Sequence, residues 1–133
     1  MYQVTKIIHF CYGHRLMNYE GMCRHPHGHN GRVEILLESE NLDRRGMVVD
    51  FSDISKIVKK WIDETLDHRM LLKKEDAMIS FLKQEKEPFF TMQENPTAEN
   101  IAKLIYEYTH SQNFPVKQVT LWESESSFAV YKP

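Results

Sequence analysis

The sequence predicts an α+β fold, a four-stranded antiparallel sheet with two helices on one face. Three observations carry that expectation. Val33, Ile35 and Leu37 alternate with Arg32, Glu34 and Glu38, the period of a half-buried strand. Ile54, Ile57, Val58, Trp61 and Ile62 recur at the spacing of one buried helical face. Asn95-Pro96-Thr97 opens a second such pattern, with Ala98, Ile101, Ala102, Ile105 and Tyr108 on its apolar side.

The elements follow in chain order. Tyr2 to Cys11, rich in β-branched and aromatic residues and ending at Gly13, is the first strand, and Gly31 to Glu38 is the second. A histidine-rich loop joins them. A short stretch, Met47 to Asp50, feeds the first helix, which Asp50 or Ser52 is placed to cap. Lys73 to Glu94 is polar, holds Pro88 and one apolar patch at Ile79, Phe81 and Leu82, and is expected to be a connector with room for one short helix. Beyond the second helix, Val116 to Glu123 and Phe128 to Tyr131 close the chain as a hairpin.

A chain of 133 residues without repeats or linkers is expected to form one domain over residues 1–133. With 17 basic against 19 acidic residues and no long run of either sign, the charge argues against nucleic acid and anionic membranes as partners. No apolar stretch approaches a membrane span, and Met1 to Ile8 lack the charged start and apolar core of a signal peptide, so a cytoplasmic location is expected. Two cysteines, Cys11 and Cys23, make no disulfide framework and are expected as free thiols.

His27-Gly28-His29, with His14 upstream, is the strongest chemical signal. Residues two apart on a strand point to one face, so His27 and His29 converge on one ion, and His14 supplies a third nitrogen. Three histidines leave a zinc ion one open position, as in a catalytic site, and two cysteines are too few for a thiolate cage. His25 is the spare of the cluster.

Three further residues carry chemistry. Cys23, four positions before His27, is placed to act as a base beside the metal, or else is a small buried hydrophobe. Asp67-His68 pairs an acid with a base after the first helix, an arrangement that, taken alone, is more common on plain surfaces than in catalysis. Glu123 shares a strand face with Val119 and Leu121, where a carboxylate needs a charged or doubly donating partner. The N–H edge of a pterin meets that need, and so does a neighbouring arginine.

Together, Phe10-Cys11-Tyr12-Gly13-His14-Arg15-Leu16, Cys23-x3-His27-Gly28-His29-Asn30, Leu66-Asp67-His68, Asn95-Pro96-Thr97-Ala98-Glu99-Asn100 and Trp122-Glu123 resemble the motifs of the 6-pyruvoyltetrahydropterin and 6-carboxytetrahydropterin synthase family. The resemblance implies a tunnelling fold whose sheets join across a homo-oligomer into a β-barrel, with active sites between subunits. It implies that His14, His27 and His29 hold zinc and that Cys23 accepts a proton. His68 with Asp67 then forms the relay pair, and Glu123 anchors the pterin and joins the relay. Thr97 and Glu99 match positions that help hold the pterin.

The implied activity is a zinc-dependent lyase acting on 7,8-dihydroneopterin triphosphate. The Cys23-x3-His27 spacing is like that of the enzymes of queuosine and deazapurine biosynthesis, which form 6-carboxy-5,6,7,8-tetrahydropterin and release acetaldehyde and triphosphate. The alternatives are pyruvoyl formation by triphosphate elimination, or a non-catalytic zinc- and pterin-binding protein in which Cys23 closes the zinc shell. The chain departs from the family pattern at Cys11-Tyr12-Gly13, where many relatives carry small residues and serine, at Arg69-Met70, and in its longer connector.

Overall fold

The computed structural model describes residues 1–133. β1 (Tyr2–His14) and β2 (His27–Ser39) form a long antiparallel hairpin whose ladder runs from Tyr2 opposite Ser39 to His14 opposite His27. Their inward side chains, Ile8, Phe10 and Tyr12 from one and Val33, Ile35 and Leu37 from the other, are buried. Both strands are longer than expected at the metal end. His14, His27 and His29 therefore lie on the ladder itself, and the loop between the strands is left with Cys23 on a short 3₁₀ turn, Met22–Arg24.

One continuous helix follows, built from α1 (Phe51–Ile54), a π-helical stretch over Ser55–Lys59 and α2 (Lys60–Thr65). Asp50 caps it, its carboxylate accepting from the Ser52 N–H at 2.8 Å. Ile54, Val58, Ile62 and Leu66 are fully buried, whereas Ile57 is exposed. The expected face is shifted because hydrogen bonds in the π stretch reach one residue further than in an α-helix, which changes the angular spacing and carries Ile57 off the buried side. Met47 to Asp50 is irregular chain.

The main correction lies around the connector. β3 (Arg69–Lys73) lies just before it, where no element was expected, and α3 (Met78–Glu85) and β4 (Phe89–Met92) lie where only a short helix was expected. β3 pairs parallel to β1, with Arg69 opposite Tyr12 and Leu71 opposite His14, and β4 pairs parallel to β3. Strands of this length are too short to show an alternating pattern, and the adjacent Leu71 and Leu72 are both buried, so no period marks them.

α4 (Ala98–Ser111) follows, capped by Thr97, whose hydroxyl accepts from the Asn100 N–H. β5 (Val116–Ser124) and β6 (Ser127–Tyr131) end the chain. The sheet is thus six-stranded, in the order β4-β3-β1-β2-β5-β6. Helix residues Ile54, Val58, Ile62, Ile101, Ala102 and Ile105 join Ile8, Val33, Ile35, Val119 and Leu121 in one core. The class is α+β as expected, with two parallel strands added at one edge. No helix is long and apolar enough to cross a membrane.

Candidate active site and metal centre

The hairpin ladder sets His14 directly opposite His27 and places His29 opposite Tyr12. All three histidines share the helix-facing side of the sheet, and their ligand atoms lie within 4.8 Å of one another. Two backbone carbonyls decide the tautomers. His14 Nδ1 lies 2.7 Å from the Pro96 oxygen and His27 Nδ1 lies 2.8 Å from the His25 oxygen. A carbonyl only accepts, so each Nδ1 carries the proton and each Nε2 presents a lone pair.

Those two Nε2 atoms stand 2.9 Å apart, and His29 Nε2 is buried with no hydrogen-bond partner. Two facing lone pairs and an orphaned third nitrogen are unfavourable without a cation among them. The donor set therefore fits a metal ion held by three imidazoles. Burial lowers the pKa of His14, which favours the neutral, ligating form.

Glu123 stands over this triangle. Its Oε1 is 3.9 Å from His14 Nε2 and its Oε2 is 3.9 Å from His29 Nε2. The register between β5 and β6 shifts between Trp122 and Ser124, an irregularity that lets the strand re-aim the carboxylate. No arginine forms an ion pair with Glu123. Its hydrogen-bond donor is the Tyr12 hydroxyl, at 3.4 Å. Burial first, and then the charge of Glu123, push the Tyr12 pKa far up, so the phenol remains a donor.

Cys23, Thr97, Glu99, Glu123 and His14 line one cavity of about 320 Å³, which brings together five of the residues singled out from the sequence. Cys23 is half-buried and lies outside the set of convergent metal-ligand atoms. Asp67 and His68 lie elsewhere. They flank the opposite face of β1, where Asp67 accepts from the Cys11 N–H at 2.9 Å and from His68 Nδ1 at 2.7 Å. Partial burial opposes ionisation of Asp67, yet those two donors hold its pKa below the usual carboxylate value.

His68 is held in the left-handed region, at φ +58°, and its N–H donates to the Cys11 carbonyl at 2.7 Å. Its side chain is 78 % exposed. A non-glycine residue in that conformation needs its surroundings to hold it there, a pattern common at functional sites. His68 lines another cavity, of about 650 Å³, with Cys11, Asn30 and Arg69; it also reaches His27 and His29, but not Cys23. Within one chain, Cys23 and His68 do not meet.

Sequence reasoning missed two residues here. Asn95, expected to help start α4, instead bonds through its side chain to both backbone groups of Met17. Tyr12, noted only as a departure from the family motif, is the partner of Glu123. The Asn-Pro turn and the period of two back from His14 were the available signals.

The family model described as 6-pyruvoyl tetrahydropterin synthase matches residues 3–133. The chain belongs to that family. It is 36 % identical over 135 residues to the 6-carboxy-5,6,7,8-tetrahydropterin synthase of Rickettsia conorii, covering 96 % of this chain and 98 % of the relative. Among solved structures, an uncharacterized protein from Wolinella succinogenes superposes with a TM-score of 0.82 at 29 % identity, covering 98 % of this chain and 97 % of the other. The 6-pyruvoyl tetrahydropterin synthase of Caenorhabditis elegans superposes with a TM-score of 0.74 at 26 % identity, covering 99 % and 95 %. The curled sheet backed by helices is thus the tunnelling fold of this synthase family.

Proposed function

We propose that this member of the 6-pyruvoyl tetrahydropterin synthase family is a zinc-dependent lyase. It converts 7,8-dihydroneopterin triphosphate to 6-carboxy-5,6,7,8-tetrahydropterin, with release of acetaldehyde and triphosphate. The observation that carries the reading is the convergence of His14, His27 and His29, two of them with Nδ1 pinned by carbonyls and the third with a buried, unpartnered Nε2. Three imidazole donors suit a zinc ion with an open position. Once bound, such an ion supplies Lewis acidity toward the hydroxyls of the substrate side chain.

The protein groups then have distinct tasks. Glu123 accepts hydrogen bonds from the pterin N–H edge, with Thr97 and Glu99 completing the cradle at the start of α4. Cys23 lies in the same cavity and outside the ligand cluster, which favours a base over a fourth ligand. His68, oriented by Asp67, moves the proton onward. Because Cys23 and His68 line different cavities, the relay requires His68 of a second subunit, in keeping with a homo-oligomeric barrel whose sites lie between subunits.

The carboxy-forming outcome rests on the name of the Rickettsia relative and on the Cys23-x3-His27 spacing. Pyruvoyl formation is the second reading, supported by the family description and the Caenorhabditis structure. The carboxy-forming outcome places the protein in cytoplasmic queuosine or deazapurine biosynthesis. Incubating the zinc-loaded protein with 7,8-dihydroneopterin triphosphate separates the readings. Acetaldehyde and the carboxy product by mass support the first, the pyruvoyl product supports the second, and unchanged substrate overturns both.

A further inference from the structure

Glu123 poses a problem for an open metal site. Its carboxylate oxygens stand 3.9 Å from the ligand nitrogens of His14 and His29. A carboxylate that close to two metal-ligating nitrogens could reach a cation held by them, and binding by Glu123 would close the position that substrate needs. It would also consume the charge that anchors the pterin. Something must restrain it.

Tyr12 is built to do so. Its ring is 3 % exposed, stacked on Phe10 at 5.1 Å between centroids and set edge-on to His14 at 5.2 Å. Gly31, on the neighbouring strand, makes the room. A Cβ at Gly31 would lie 3.1 Å from Tyr12 Cε1 and 3.2 Å from Phe10 Cε1, tighter than ordinary contact. Held on these sides, the ring directs its hydroxyl to Glu123 Oε1 at 3.4 Å.

We propose that Tyr12 is a positioning residue that holds the Glu123 carboxylate beside the metal position and off it, in a space opened by Gly31. The inference rests on the metal reading of the three histidines and deepens it. It does not depend on which pterin product is formed.

The test uses the cobalt(II)-loaded full chain, read by visible absorption and by titration with azide as a probe of the open position. Tyr12→Phe keeps the ring and removes only the hydroxyl. It is expected to change the cobalt spectrum, to weaken azide binding about ten-fold or more, and to tighten zinc binding by a similar factor, as Glu123 moves onto the metal. The double variant Tyr12→Phe/Glu123→Gln is expected to restore the wild-type spectrum and azide affinity. A Tyr12→Phe spectrum and azide affinity equal to wild type overturn the proposal, as does a change that Glu123→Gln fails to reverse. Wild type that takes up no cobalt overturns both the metal reading and this inference. The expected spectral pattern in a protein that turns over no pterin leaves the role of Tyr12 standing and removes the catalytic reading alone.

Discussion

Asn95 grips the backbone of Met17 with both ends of its side-chain amide. Its Oδ1 accepts from the Met17 N–H at 2.9 Å, and its Nδ2 donates to the Met17 carbonyl at 2.8 Å. The next residue, Pro96, offers the carbonyl that orients His14, and the Leu16 N–H donates to the Cys23 carbonyl at 2.9 Å. Asn95 thus ties the cap of α4, His14 and the loop bearing Cys23 into one unit. Asn95→Asp turns the donor into an acceptor that faces the Met17 carbonyl. The expected cost is about 1–3 kcal/mol of stability, with faster hydrogen exchange across Leu16 to Cys23 and retained zinc. Thermal unfolding, exchange and metal analysis check it.

Separation of Cys23 from His68 within a chain predicts complementation. Cys23→Ala and His68→Ala are each expected to keep fold and zinc and lose most activity. When the two variants are unfolded, mixed and refolded together, roughly a quarter of the sites should receive both intact groups if each site draws them from two subunits. No recovery in a mixture shown to contain hybrid oligomers places both groups on the same subunit.

Loss of one imidazole leaves a two-ligand site. His27→Ala is expected to lower bound zinc sharply and abolish turnover, by metal analysis of the purified protein. Full occupancy in that variant removes His27 from the ligand set.

For Glu123→Gln, the charge and one acceptor are lost while shape is kept. Pterin affinity is expected to fall by about 2–4 kcal/mol, on the order of 30-fold to 1000-fold, with zinc content unchanged. Titration with an unreactive pterin reads the effect, and unaltered affinity removes the anchor role.

Arg15, next to His14, pairs through two of its nitrogens with the buried carboxylate of Asp76, whose Oδ1 also accepts from the Met78 N–H at 2.8 Å. The Arg15 hydrogen bond, against the opposing effect of burial, holds the Asp76 pKa below the usual carboxylate value. Because the folded pKa is depressed, the pair's stabilisation is complete above the ordinary carboxylate range and is lost as pH falls through the lower folded value. Asp76→Asn is expected to cost about 1–3 kcal/mol at neutral pH, since Arg15 retains some exposure, and to flatten the acid limb of melting temperature against pH.

The candidate metal ligands were legible because strand geometry has a period of two, so His27 and His29 had to share a face wherever that strand lay. The same period joined Glu123 to Val119 and Leu121, and apolar spacing revealed both long helices. β3 and β4 escaped because five and four residues are too few to establish a period. Ile57 was misplaced because a π stretch changes the angle per residue without leaving a sign in composition.

The sequence by itself determined which residue types make up the candidate metal site and which strand faces they occupy, since both follow from neighbours a few positions apart. Only the tertiary structure decided how these faces meet. Tyr12 and Glu123 are 111 positions apart, and Asn95 and Met17 are 78 apart. Such contacts depend on sheet order, ladder register and the angle at which α4 docks, which packing of the whole core sets at once. The placement of Asp67 and His68 away from Cys23 has the same origin, because the first two precede β3, which pairs beside β1, while Cys23 sits on the turn between β1 and β2.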